Sequence, residues 1–173
     1  PRGGDGRLRL RVADGVCAAT DELCKGYNFG YKSAAHAVGY AKSQAAVPAS
    51  WWLDVETTNS WSTDTAANAR VVAGAIDYLK AQGATIGLYS SPSQWQFITG
   101  NYAPGLPVWT TTAPGAAEAP TFCTRGFGGG QVVLVQYLAG AYDGNYACRA
   151  EDRVPPVAEP VGPSGTTATI MAD

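Results

Sequence analysis

Charge is what this sequence has least of. Only 15% of its 173 residues are Asp, Glu, Lys or Arg, against roughly 25% in an average globular protein. Lysine is scarce, the net charge is −2, and no block of like charges occurs. A nucleic-acid partner calls for a basic stripe, so the composition argues against that class. No apolar run approaches the roughly 18 residues of a membrane span. The single histidine, His36, falls on a predicted helix away from its alanine stripe and reads as a surface residue. That argues against a Ser-His-Asp triad and against a histidine metal site. No C-x-x-C spacing occurs, which removes the usual zinc and redox motifs. "GFGGGQ", 126–131, lacks the Lys-Ser/Thr of a phosphate loop and precedes a predicted strand, so it reads as a turn. No cofactor is expected.

What remains is apolar and aromatic. Hydrophobic residues make up 46% of the chain, and Gly, Trp and Tyr are plentiful. The length suits one domain with a sizeable core, and an acidic, aromatic-rich surface suits a neutral or sugar ligand. The four cysteines, Cys17, Cys24, Cys123 and Cys148, allow three connectivities. Two local loops, each joining a neighbouring pair, are the simplest. Disulfides imply an extracellular protein. No signal peptide precedes this segment, so a processed or truncated form is expected.

Arg alternates with Leu or Val over 7–12, a candidate edge strand, and 17–29 reads as a cysteine-closed loop. From Gly30 to Ala45, Ala34, Val38, Ala41 and Ala45 recur at helical spacing and predict a small-residue packing face. "WWLDV", 51–55, reads as a strand apolar on both faces, the pattern of a parallel strand under helices. Asp64 and its neighbours offer caps for a helix carrying Val72, Ala75, Ile76 and Leu79, with Gly83 as the stop. "TIGLYS" (85–90), "LPVWTT" (106–111) and "QVVLVQY" (131–137) are further strands, with a short helix over "SQWQFI". From Arg149 the Pro/Gly/Thr-rich composition predicts a tail lacking a packed core. Strand and helix alternating with short connections predict an α/β protein with a parallel sheet. Two regions are expected: a barrel-like domain over 1–148 and the tail over 149–173.

Chemistry on such sheets gathers at the carboxyl ends of strands. That rule selects Asp54 and Glu56 at the end of the first clear strand, Tyr89 and Ser90 on the second, Thr110 and Thr111 just after Trp109 on the third, and Gln136 and Tyr137 on the last, with Asp143 following. One residue apart, Asp54 and Glu56 face the same way on a strand, with Cβ atoms roughly 6.5–7 Å apart at a rise of about 3.3 Å per residue. Two carboxylates so placed raise the pKa of one of them, as a general acid requires. The ordinary alternative is a strand end whose carboxylates cap and solvate. Trp51, Trp52, Trp61, Tyr89, Trp95, Trp109 and Tyr137 gather near strand ends, and aromatic faces stack on sugar rings. Core packing is the other role for them, above all for Trp51 and Trp52. Aromatics around paired carboxylates are the arrangement of a glycosidase.

"WWLDVET" resembles the D-x-E strand of glycoside hydrolase family 25, the lysozymes of the N-acetylmuramidase type. "IGLYSSPSQW" is similar to that family's fifth strand and following helix, "PVWT" to its sixth strand, and "VVLVQYLAGAYDGN" to its last. The resemblance covers roughly residues 27–148. It is nearest to secreted bacterial relatives that also carry "YNFGY" and "W-S-T-D-T". It implies a TIM-barrel-like (β/α) parallel barrel, irregular or incomplete here, and a peptidoglycan-directed hydrolase. By the same resemblance Glu56 is the proton donor, its carboxyl expected to be raised by the charge of Asp54 and the apolar wall; Asp54 assists it, and Asp143 completes the acidic floor. Tyr89, Trp109, Gln136 and Tyr137 line the sugar site. The partner is peptidoglycan or another amino sugar polymer, and a monomer is expected. The family's first strand contributes a further aspartate in an Asp-Val-Ser-like stretch. Neither Asp5 nor Asp14 matches it, so the opening strands are expected to be missing or replaced. A catalytically inactive glycan-binding relative and a structural domain are the alternative readings.

Overall fold

The computed structural model describes residues 17–46, 48–149, 151 and 167–171. The candidate edge strand at 7–12 lies outside them. Helix α1 (Glu22–Ser43) begins well before the expected start at Gly30, and Ala45 falls beyond its end. The reason is a cap. The Asp21 carboxylate accepts from the Cys24 amide at 2.9 Å, satisfying one of the amides a helix start leaves unpaired. The Cys17–Cys24 disulfide ties the preceding turn to the same spot, so this cysteine pair closes a helix start and not a free loop. The second pairing, Cys123–Cys148, is also the expected one. Helix α2 (Thr65–Ala81) is capped by Asp64, whose side chain accepts from the Ala66 and Ala67 amides. It gives way to Gly83 at a left-handed φ of 72°.

The strands β1 (Ser50–Asp54), β2 (Ile86–Ser90), β3 (Val108–Ala113) and β4 (Val132–Ala139) fall close to their expected positions. Between them lie α3 (Pro92–Thr99) and the short α4 (Ala119–Phe122). β4 turns back at Gly140 into β5 (Tyr142–Ala147), and the two pair antiparallel. The expected tail contains a strand, β6 (Thr167–Met171), parallel to β1 along its whole length. The sheet order is β5-β4-β3-β2-β1-β6. Among the described residues this is an open mixed sheet: its four central strands are parallel as expected, but it does not close into a barrel. The antiparallel return at β5 escapes a reading of one continuous last strand because "YDGNY" carries none of the aliphatic residues that mark the others.

Alternation divides each strand between two faces. Trp51, Leu53, Val55, Ile86, Leu88, Val108 and Val135 enter one core with Val72, Ile76 and Leu79 of α2. α1 packs on α2 through glycines as well as the expected alanines. A Cβ at Gly30 would lie 1.8 Å from the Val71 carbonyl oxygen, and one at Gly74 would lie 2.0 Å from that of Tyr27. The seam is bordered by Tyr27, whose hydroxyl donates to Asp77 at 2.8 Å. Burial and that bond push the Tyr27 phenol up to about 12. His36 is exposed on α1, as expected, and "GFGGGQ" is a turn.

Candidate active site

The sheet face away from the core carries the candidate chemistry. β1 ends at Asp54, and one more ladder bond runs from the Val55 amide to the Tyr89 carbonyl at 2.9 Å. Glu56 therefore stands just past the strand, half-buried, where the strand reading had placed it on the strand itself. Asp54 is only 8% exposed, and its Oδ1 has no hydrogen-bond partner among the described residues. Burial first, and then the negative charge of Glu56, pushes its carboxyl from 3.8 up to about 6. The carboxyl raised here is that of Asp54, where the expectation named Glu56, because the apolar surroundings act most on the more deeply placed group.

Tyr89 lies opposite Asp54 in the ladder. Burial raises its phenol first, and the charges of Glu56, Asp54 and Asp143 all act in the same direction, while a hydrogen bond with Thr111 opposes them. Its hydroxyl donates to Gln136 Oε1 at 2.5 Å, and the Thr111 hydroxyl donates to the same oxygen at 3.0 Å. Two strands are thereby fixed to the glutamine of a third. Asp143 reaches this face from β5, where it pairs with Leu138 across the hairpin.

The floor beside the carboxylates is aromatic. Trp52 and Trp109 meet edge-to-face at 5.5 Å, and Tyr89 meets Trp109 the same way at 4.9 Å. The Trp109 indole N–H donates to Asn145 Oδ1 at 2.9 Å. Trp52 lies over Gly87, where a Cβ would come within 2.2 Å of its ring. So Trp52 is buried, as expected, yet buried on the site face.

The structure brings Asp54, Glu56, Asp143, Tyr89, Trp109 and Gln136 to one face. It does not bring Tyr137 there. Adjacent strand residues point to opposite faces, and Tyr137 packs against the core beside Val135, its ring over Gly144. Trp95 also leaves the aromatic group: it is fully buried against Phe127. Thr111 and Trp52, both named at or near strand ends in the sequence, also lie on the site face; Asn145 is the site-face residue that sequence reasoning missed. Period-two alternation from Asp54 points to Trp52. The hairpin register that selects Asn145 has no such signal.

The lysozyme-like protein 1 family matches residues 22–124. Over 91 residues the chain is 37% identical to probable GH family 25 lysozyme 4 of Dictyostelium discoideum, covering 51% of this chain and 42% of that protein. It is 38% identical over 74 residues to probable GH family 25 lysozyme 2 of the same organism, covering 42% and 34%. The chain thus spans less than half the length of these relatives. No solved structure gives a significant match.

Proposed function

The chain belongs to the lysozyme-like protein 1 family, and from that premise we propose that it is a glycoside hydrolase cleaving peptidoglycan. Glu56 is the proton donor, Asp54 the charge that assists it, and Asp143 the outer acidic wall. The observation that carries this reading is the shared sheet face: Asp54 lies opposite Tyr89, whose hydroxyl donates to Gln136, beside the Trp52–Trp109 floor. Accessibility divides the roles. The glycosidic oxygen of a polymer can approach half-buried Glu56 but not Asp54 beneath it. As an anion, Asp54 favours the positive charge that develops on the sugar ring in an oxocarbenium-like transition state. The Trp109 and Tyr89 rings offer apolar faces to the sugar, and Gln136 keeps an amide N–H₂ for its polar groups.

In this reading the open sheet is part of a TIM-like barrel, and the protein works outside the cell as a monomer, in keeping with its two disulfides. Among the described residues no helix is long and apolar enough to cross a membrane. Nucleic acid is not a proposed partner, because the sequence has no basic stripe.

The test is clearance of a peptidoglycan suspension, with release of reducing ends, by the protein. Glu56→Gln is expected to lower the rate by about 10²- to 10⁴-fold, the usual contribution of general acid catalysis. An equally active variant removes Glu56 from the role. If the wild-type protein hydrolyses no amino sugar polymer, the aromatic floor supports the second reading, a glycan-binding relative without catalysis.

A further inference from the structure

Glu56 lies outside the sheet ladder, so its orientation must come from elsewhere. From the hydrogen bonds around it, we infer that Gln94 and Trp61 are positioning residues for Glu56, an assignment that rests on the proposed role of Glu56 as proton donor.

Both sides of the residue are tied. On its amino side the Val55 carbonyl accepts from the buried Ser90 hydroxyl at 2.6 Å. On its carboxyl side Thr57 is held twice by one atom: Gln94 Oε1 accepts its amide at 2.6 Å and its hydroxyl at 2.9 Å. The Glu56 carbonyl accepts the Trp61 indole N–H at 2.8 Å and the Asn59 amide at 3.1 Å. Peptide groups past a strand end have no ladder partner and otherwise turn to water. Here three side chains take the place of that partner, and two of them lie outside β1 and β2.

Each of the two is fixed in turn. Gln94 sits in the first turn of α3, its amide capped by Ser91 Oγ at 3.3 Å. α3 follows β2 directly, so the helix that starts beside Tyr89 also holds the segment next to Glu56. Trp61 borders a cavity of about 230 Å³ between the starts of α1 and α2, lined also by Phe29, Ala67 and Val71. It packs against the core, with its N–H turned to the Glu56 carbonyl. The carboxyl side of Glu56 is therefore held by α3 and by the segment before α2, and its amino side by β2. A displacement of about 1 Å in such a group can cost up to about 100-fold in rate.

The experiment uses the full chain and three variants. Gln94→Leu removes the acceptor, Gln94→Glu keeps one, and Trp61→Phe keeps a ring in the cavity without the N–H. Amide exchange at Thr57 is expected to quicken roughly tenfold in Gln94→Leu, the range of one lost hydrogen bond, and to return to wild type in Gln94→Glu. For peptidoglycan hydrolysis, kcat is expected to fall about tenfold in Gln94→Leu and Trp61→Phe. KM should stay within twofold, with recovery of kcat in Gln94→Glu. Unchanged Thr57 exchange in Gln94→Leu overturns the inference whether or not the protein is active. So does an unchanged kcat, or a fall in kcat that merely follows loss of folded protein in a melting curve. A wild type that hydrolyses nothing, with Thr57 exchange altered as expected, instead fails the proposed function alone.

Discussion

Replacing Asp54 by Asn should stabilise the protein, and only above a particular pH. Asp54 is 8% exposed with an unpartnered Oδ1, and its carboxyl is raised from 3.8 to about 6. A carboxyl whose folded pKa lies above its unfolded one favours folding while protonated. That contribution is complete below about pH 4 and is lost as pH rises through about 6. The difference amounts to at most about 3 kcal/mol, at about 1.36 kcal/mol per tenfold change in proton affinity. Asn has the shape of the neutral acid and no charge to lose. Unfolding midpoints of the two proteins should therefore coincide near pH 3.5 and separate steadily between pH 4 and 6.5. Near pH 7.5 the variant should lead by roughly 6–12 °C, at about 2–4 °C per kcal/mol for a chain of this size. Urea titration at each pH gives the same comparison as free energies. A constant offset at every pH, or a variant less stable at pH 7.5, would refute the claim that a buried charge is the cause.

The same group should shape activity in the opposite sense. If Asp54 assists as an anion, kcat/KM falls as pH drops through about 6, and a pH–rate profile shows that limb, which Asp54→Asn abolishes along with most of the rate. Gly30→Ala should destabilise by about 1–3 kcal/mol or more through overpacking, outweighing the roughly 1 kcal/mol that Ala gains over Gly in a helix; thermal unfolding measures the net sign. Replacing Cys123 and Cys148 by Ser opens a loop of 25 residues. In the chain-entropy model this costs about 3–4 kcal/mol, readable as a lower urea midpoint, whereas an unchanged midpoint would show that the bond contributes nothing.

The parallel strands β1 to β4 were legible because each is a short apolar run of β-formers bounded by Pro, Gly or a helix cap. The acidic residues were legible because carboxylates at strand ends stand out against apolar neighbours. Tyr137 was misplaced by the same rule: proximity to a strand end says nothing about face, and the face follows from its neighbour Gln136. Trp95 was misplaced because an aromatic in a short helix between strands gives no sign of which way it turns. The start of α1 was hidden by the assumption that a cysteine pair closes a loop, when Asp21 beside Cys24 already supplied a cap. The ties to Glu56 from Gln94 and Trp61 span separations of 37 residues between Thr57 and Gln94 and of 5 between Glu56 and Trp61. Neither spacing carries a periodicity, so no local pattern announces them.

The glycine contacts between α1 and α2 limit how this molecule can move. Packed helices ordinarily adjust by shear, sliding past one another by small rotamer changes at a side-chain interface. At Gly30 and Gly74 there are no side chains to adjust, because backbone meets backbone directly. Each glycine admits one carbonyl of the opposite helix, and a slide of one turn would bring the bulk of Tyr27 or Ala34 against it. The two helices therefore form a single rigid body, without a sliding coordinate.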